Sequence, residues 1–160
     1  SFFSQLFSYD ESTHNLAVLH QTGCYWQPVS TTSLLGEPKV ICVSRSPFDQ
    51  YAELKIHKGF TSSGSFIRWH KHLTKMQAEH ELDDERVLRL TFEDFVLNHR
   101  ESVLKVCNHL SIDPTTDSTY KLSLSRPNVG KYQYMLSSEE IAEINSYCHS
   151  SPLLKDYICG

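Results

Sequence analysis

Residues 39–49 (KVICVSRSPFD) constrain the fold of this chain more than any other stretch of its sequence. They open with a short apolar run rich in β-branched side chains, which is typical of a buried parallel strand. The Ser-Pro-Phe-Asp that follows at 46–49 supplies an N-cap serine, a proline for the first helical position and an acid for the first turn. The pattern therefore predicts a strand that passes straight into a helix, with Arg45 at the junction.

The spacing of apolar residues predicts two helices after this strand. The first is expected to bury Phe48, Ala52 and Ile56 and to end at a connecting loop, residues 59–65 (GFTSSGS). The second is amphipathic, and its apolar side chains recur at three- and four-residue steps, at Phe66, Trp69, Leu73 and Met76. His70 and the basic side chains between these positions are expected on the polar face of that helix.

Three further segments complete the pattern. Residues 86–92 (RVLRLTF) predict a second strand, residues 99–110 predict a helix, and residues 137–140 (SSEE) form a capping box that opens the final helix. Strands that alternate with helices imply an α/β fold with a parallel sheet flanked by helices. Because no linker divides the sequence, we expect residues 1–160 to form a single domain.

Charge and composition narrow the class of function. The 160 residues carry 15 Lys+Arg against 19 Asp+Glu, a net charge of -4, which argues against a nucleic-acid partner held by overall charge. No apolar run reaches the roughly 20 residues of a membrane helix, so we expect no membrane segment. The five Cys are widely spaced without a C-x-x-C pair, which predicts reduced thiols, no metal site and a cytoplasmic location. The sequence leaves the oligomeric state open.

Arg45 is the strongest candidate for a binding residue. In parallel α/β folds, ligands lie beyond the carboxyl ends of the strands. There Arg45 would stand beside the unpaired N–H groups and the positive dipole end of a helix, an arrangement suited to a phosphate or a carboxylate. The alternative is a structural arginine that pairs with Asp49 or solvates the end of the strand.

Four segments of the chain resemble, in the same order, the sulfotransferases that take their sulfuryl group from 3′-phosphoadenosine 5′-phosphosulfate (PAPS). Residues 40–49 resemble the strand, arginine and helix start of that family. Residues 87–95 (VLRLTFEDF) are similar to its strand ending in Tyr-Glu-Asp, and residues 103–112 (VLKVCNHLSI) to the helix that follows. Residues 128–132 (NVGKY) resemble its closing segment.

This resemblance implies PAPS as the cofactor and a set of residues that bind it. Arg45 and Ser46 would bind the 3′-phosphate. The closing loop, with Arg126 and Gly130, would return to the same phosphate. Phe92 stands where the family has the tyrosine of Tyr-Glu-Asp, so it would lie near the purine.

Besides Phe92, the sequence departs from the family at two places. Many members have a serine eight residues after the arginine, whereas this chain has Glu53, which repels the 3′-phosphate unless a cation such as Arg126 neutralises it. The family's phosphate-loop strand, loop and helix, with its catalytic lysine, has no counterpart, because residues 59–65 imitate the spacing but have Ser in place of Lys. The resemblance therefore implies a P-loop-type three-layer fold that is incomplete at its N-terminus.

His20 is the candidate for the catalytic base. It precedes Arg45 by 25 residues, a distance comparable to that in cytosolic members of the family, and histidine suits proton transfer near neutral pH. Glu11 is an alternative, since other members use a glutamate.

The resemblance thus implies an enzyme that transfers a sulfuryl group from PAPS to a hydroxyl or amine of a small molecule or a carbohydrate. The polar loops at 59–66 and 111–130 would suit a sugar hydroxyl. Two alternatives stay open. One is a catalytically silent module of the same fold that binds a nucleotide or a protein. The other is a different P-loop transferase such as a kinase, for which Asp94 near a strand end is weak support.

Overall fold

The computed structural model describes residues 38–57, 59–79, 84–114 and 120–158. The strands are β1 (Val40–Ser44) and β2 (Val87–Thr91), and the helices are α1 (Pro47–His57), α2 (Ser63–Glu79), α3 (Phe92–Leu97), α4 (His99–Leu110), α5 (Leu122–Ser125), α6 (Tyr132–Met135) and α7 (Ser138–His149). Two 3₁₀ helices, Arg126–Asn128 and Pro152–Tyr157, precede α6 and follow α7. The fold of these residues is α/β, mostly helical, with a small parallel sheet.

β1 and β2 form a parallel pair, with Val40 opposite Val87 and Ser44 opposite Thr91. This confirms the two strands and the parallel pairing that the sequence predicts. Because parallel strands end at the same edge of a sheet, the residues that follow them lie side by side there. α1 and α2 form the crossover between the two strands.

Local sequence signals determine where α1 and α7 begin. Pro47 is the first residue of α1, and Asp49 lies in its first turn, where an acid complements the helix dipole. α7 follows a complete capping box, in which the Ser137 side chain accepts from the Glu140 N–H and the Glu140 side chain accepts from the Ser137 N–H. Both helix starts agree with the sequence prediction.

The main hydrophobic core lies where α1, α2, α6 and α7 meet. α1 packs against α6 and α7, and α2 packs against α7. Burial of one large apolar side chain stabilises a fold by about 1.5–3 kcal/mol. The core fixes the position of α1 relative to α6 and α7. The buried residues of this core are Phe48, Tyr51, Ala52, Phe66, Leu136, Ile144, Tyr147, Cys148 and Leu154.

Three details of the sequence prediction are wrong. α2 begins at Ser63, inside the predicted loop 59–65. Ile56 is 60% exposed, because α1 buries its N-terminal half against the core and its last turns lie at the surface. His70 is 6% exposed rather than on a polar face, because its ring packs edge-on against the ring of Tyr147.

The sequence prediction also missed α3, since it extended the second strand to Phe92. β2 ends at Thr91, whose side chain accepts a hydrogen bond from the Asp94 N–H at 3.0 Å and so caps a new helix. Apolar residues such as those of 92–97 suit a buried strand and a short helix equally well, so only the cap distinguishes them. The turn into α3 places Phe92 and Glu93 beside the end of β1.

Cys42, Cys107 and Cys148 lie in the described residues, and none of these three forms a disulfide. Cys24 and Cys159 lie outside them. Within the described ranges no helix combines the length and apolar character needed to cross a bilayer. In the same ranges, no group of three or more His, Cys, Asp or Glu side chains is arranged to hold a metal ion.

Candidate functional site

Arg45 lies at the carboxyl end of β1, where three neighbours hold it. Its guanidinium carbon lies 5.0 Å from the centroid of the Phe92 ring, and its Nη2 donates to the Asn128 carbonyl at 2.8 Å. The Gln50 side-chain amide donates to the Arg45 carbonyl at 2.7 Å. Strand β1, helices α1 and α3, and the 3₁₀ helix Arg126–Asn128 therefore meet at Arg45.

Most of the hydrogen-bonding capacity of Arg45 is unused within the described residues. A guanidinium carries several N–H donors, and here only Nη2 has a hydrogen-bond partner. Nε is buried and has no hydrogen-bond partner among the described residues, which costs free energy. The side chain is 22% exposed. A partly buried guanidinium with unused donors suits an anion that has several oxygens.

Asp49 connects α1 to the closing segment of the chain. Asp49 is 1% exposed, and its two side-chain oxygens accept the Gly130 N–H at 2.7 Å and the Tyr132 N–H at 3.0 Å. Gly130 has φ +75°, a left-handed conformation that side chains disfavour. Because both neighbours of Lys131 are bonded to one carboxylate, the backbone of Lys131 is held next to α1.

Lys131 and Arg45 both contact the carboxylate of Glu53. Lys131 Nζ hydrogen-bonds to Glu53 Oε2, and Arg45 Nη1 lies 3.9 Å from the same oxygen. His57 Nε2 lies 3.2 Å from Glu53 Oε1. Burial, with the positive charge of Arg45, lowers the pKa of Lys131. The site therefore holds two cations close together, and Glu53 neutralises part of their charge.

Glu93 stabilises the start of α1. Its Oε1 accepts the Ser46 N–H at 2.9 Å, and the Ser46 carbonyl accepts the Gln50 N–H at 2.9 Å, as an N-cap carbonyl does. Glu93 Oε2 is buried and has no hydrogen-bond partner, and burial raises the pKa of this carboxyl. Glu93 therefore accepts the Ser46 N–H, one of the backbone donors at the start of α1 that the sequence analysis expected a ligand to use.

The structure gathers most of the predicted cofactor residues around the β1–α1 junction, namely Arg45, Ser46, Glu53, Phe92 and Gly130. Arg126 does not join them, because its side chain is exposed and makes no polar contact within the described ranges. Lys131, rather than Arg126, is the cation that the closing segment brings to Glu53, beside Arg45. The reason is Asp49, which brings residues 130–132 to α1.

The two candidates for the catalytic base, His20 and Glu11, lie outside the described residues. Sequence reasoning did not assign Lys131 or Asp49 to the site. The available signal was Gly130, since glycine permits the left-handed backbone of a tight turn, but this signal does not show which element the turn contacts.

The arrangement suits recognition of an oxyanion. Such a ligand could accept from Nη1 of Arg45 and compete with Glu53 for Lys131. Comparison with family models, curated proteins and solved structures finds no match for this chain. The functional interpretation therefore depends on the residues and contacts themselves.

Proposed function

We propose that this chain belongs to a cytoplasmic, PAPS-dependent sulfotransferase of the P-loop-type three-layer fold. The enzyme transfers a sulfuryl group to a hydroxyl or amine acceptor. Arg45, Ser46 and Lys131 bind the 3′-phosphate of the donor. Gly130 allows the turn that presents Lys131, and Phe92 supports the Arg45 guanidinium beside the purine.

The convergence of Arg45 and Lys131 on one carboxylate is the observation that supports this proposal most. The two residues are 86 positions apart in the sequence, yet both contact Glu53 Oε2. The Arg45 side chain is 22% exposed and that of Lys131 is 16% exposed, so both cations are partly buried and still open to a ligand. A terminal phosphate carries close to two negative charges and several acceptor oxygens, so it matches two cations better than a single carboxylate does.

These residues would act by positioning the donor. The bound donor supplies the sulfuryl group. Arg45 and Lys131 hold the 3′-phosphate, which is remote from the reacting atoms, and this binding energy orients the donor toward the acceptor. His20 stays the prediction for the residue that takes the acceptor's proton.

Glu53 is the residue of this site that opposes a phosphate. Its carboxylate engages Lys131 and repels an incoming anion. Oε1 already lies 3.2 Å from His57 Nε2, so His57 offers Glu53 another partner when phosphate takes its place on Lys131. We expect this exchange to accompany binding of the 3′-phosphate.

Isothermal titration of adenosine 3′,5′-bisphosphate, the product left after sulfuryl transfer, tests the proposal. The wild-type chain should bind it more tightly than adenosine 5′-monophosphate, which lacks the 3′-phosphate. Arg45→Ala and Lys131→Met should each weaken the bisphosphate by about ten- to hundredfold, since a charge-assisted hydrogen bond contributes about 1.5–3 kcal/mol. Affinity for the monophosphate should change little in both variants.

Two further variants sharpen the result. Lys105→Met removes an exposed cation on α4 and should leave both affinities unchanged. Arg126→Met tests the cation that the sequence assigned beside Glu53, whereas Lys131→Met tests the one that hydrogen-bonds to Glu53. Loss of bisphosphate affinity in Arg126→Met but not in Lys131→Met would show that the sequence assignment is right and the Lys131 assignment wrong. Equal affinity of the wild type for the two nucleotides would contradict the proposed function.

A catalytically silent nucleotide-binding module is the second candidate. The described residues favour it in one respect, because neither strand-to-helix junction, at 44–47 or at 91–92, contains the lysine of a phosphate loop. Transfer of ³⁵S from labelled PAPS by the natural full-length protein distinguishes the two. Bisphosphate binding with transfer identifies the enzyme, and bisphosphate binding without transfer to any acceptor identifies the silent module.

A further inference from the structure

Carboxyl groups already balance the two cations of the candidate site. Arg45 and Lys131 both contact Glu53, and Asp49 also interacts electrostatically with Lys131. The Glu93 carboxyl interacts electrostatically with Arg45. Among the described residues, the site therefore has no excess of positive charge, and an anion that enters it adds negative charge that needs compensation.

Glu53 is the group that an entering anion displaces. Its Oε2 hydrogen-bonds to Lys131 and lies 3.9 Å from Arg45 Nη1, so a phosphate on these two cations takes both of them from this oxygen. The displaced carboxylate would then repel the phosphate beside it. A positive charge on the other oxygen of Glu53 would offset this repulsion.

His57 is placed to supply that positive charge. It lies one helical turn after Glu53 on α1, and its Nε2 is 3.2 Å from Glu53 Oε1, the oxygen that does not bond to Lys131. The His57 side chain is 65% exposed, so it can take a proton from solvent. It also lies in the last turn of α1, where the helix dipole favours a positive charge.

Glu53 is the one acidic side chain that contacts the His57 ring among the described residues. Helices α6 and α7 pack against α1. The sequence of α6, YQYM, contains no charged residue. On α7, two carboxylates accept from side chains of α1 and α2, and the pairs are Lys55–Glu140 and Ser63–Glu143. A positive charge on His57 therefore acts mainly on Glu53.

We propose that binding of an oxyanion to Arg45 and Lys131 is coupled to uptake of a proton from solvent by His57. Protonated His57 holds Glu53 through Oε1 while the anion takes the place of Glu53 on Lys131. Histidine gains its charge between about pH 8 and 5, so affinity for the anion should increase as the pH falls through this range. For the 3′-phosphate of the sulfuryl donor, this coupling rests on the proposed function.

Other groups of the complex also titrate, so the test must separate them from His57. The second ionisation of a phosphate monoester has a pKa of about 6. Burial raises the pKa of Glu93, whereas burial and the charge of Arg45 lower the pKa of Lys131. All of these groups are present in His57→Gln, which lacks only the imidazole. The difference between wild type and this variant therefore isolates the contribution of His57.

Calorimetric titration of adenosine 3′,5′-bisphosphate at about pH 6 and about pH 8 tests the proposal. For each protein, the ratio of the association constant at the lower pH to that at the higher pH reports the dependence on protons. This ratio should be about two- to fivefold larger for wild type than for His57→Gln, the effect of one exposed charge pair. In buffers of different ionisation enthalpy, wild type should also take up more protons on binding than His57→Gln.

Matched variants locate the coupling. His57→Lys places a fixed positive charge beside Glu53, so it should bind more tightly than wild type at the higher pH, with the same ratio as His57→Gln. Glu53→Gln removes the carboxylate on which His57 acts, so adding His57→Gln to it should no longer change the ratio. His72→Gln removes an exposed histidine on α2 and should keep the wild-type ratio.

Pyrophosphate, titrated in the same way, separates the coupling from the proposed function. Equal ratios in wild type and His57→Gln, or a difference that appears in Glu93→Gln instead, overturn the coupling. If the bisphosphate binds in that case, the sulfotransferase function stands. Pyrophosphate binding with the larger wild-type ratio, but no bisphosphate binding, supports the coupling and overturns the sulfotransferase function. Binding of neither anion overturns both.

Discussion

Replacement of Glu53 by Gln should increase the affinity of the chain for adenosine 3′,5′-bisphosphate. Glu53 Oε2 hydrogen-bonds to Lys131 and lies 3.9 Å from Arg45 Nη1, so the carboxylate competes with a phosphate for both cations. The substitution keeps the size of the side chain and removes its charge. Both cations then become available to the ligand.

The size of the expected gain in affinity follows from the charges of Glu53 and the phosphate and from the exposure of Glu53. Two unit charges 4 Å apart interact by about 1 kcal/mol in water and about 4 kcal/mol at an effective dielectric constant of 20. The Glu53 side chain is 36% exposed, so solvent screens it and the lower figure is the better guide. For a phosphate close to the dianion, we expect a gain of about 1–2 kcal/mol, or about five- to thirtyfold in affinity.

Isothermal titration at low and high salt measures this gain. Glu101→Gln, an exposed acid on α4, changes the net charge equally and serves as the control. The gain in Glu53→Gln should exceed that in Glu101→Gln and should decrease at high salt. An unchanged or weaker affinity in Glu53→Gln would show that phosphate does not compete with this carboxylate, and the reasoning would be refuted.

Three further predictions concern the framework of the site, and urea denaturation measures each. Asp49→Asn should lower the free energy of unfolding by about 1–3 kcal/mol. The amide nitrogen of the introduced side chain would face a backbone N–H that donates to a carboxylate oxygen in the wild type. An unchanged free energy of unfolding would contradict this. Ser137→Ala should lower it by about 1 kcal/mol through loss of the N-cap, and the exposed neighbour Ser138→Ala should have a smaller effect. Burial opposes ionisation of Glu140, but hydrogen bonds from Lys55 and other donors outweigh it and lower the pKa from 4.5 to about 2. A lowered pKa stabilises the fold above the unfolded value of about 4.5, and this contribution is lost as the pH falls toward 2. Wild type should therefore lose more stability than Glu140→Gln over this range, and parallel curves would contradict the prediction.

The sequence predicts those parts of the structure that depend on a few neighbouring residues. The N-cap, Pro47 and Asp49 predict the start of α1, and the capping box at 137–140 predicts α7. The β-branched run at 39–44 predicts β1, and a helical crossover to a second apolar run predicts a parallel pair. Arg45 could be identified as a candidate binding residue because a strand signal directly precedes it and a helix signal directly follows it.

The parts that the sequence did not predict depend on contacts between distant segments. Lys131 reaches α1 only because Asp49 bonds two backbone N–H groups of the closing loop, and no local pattern encodes that pairing. His70 occurs among basic residues, yet α7 covers it with Tyr147. Ile56 fits an apolar spacing, but the buried residues of α1 lie in its first half, from Pro47 to Ala52.

Phosphorus NMR of adenosine 3′,5′-bisphosphate titrated with the chain tests the central claim most directly. The two phosphorus signals are distinct, so the method reports which phosphate the protein contacts. If Arg45 and Lys131 bind the 3′-phosphate, its signal should shift and broaden with wild type, and this change should be lost in Arg45→Ala and in Lys131→Met. A 3′-phosphorus signal that stays unchanged with wild type, or that changes equally with both variants, would contradict the account.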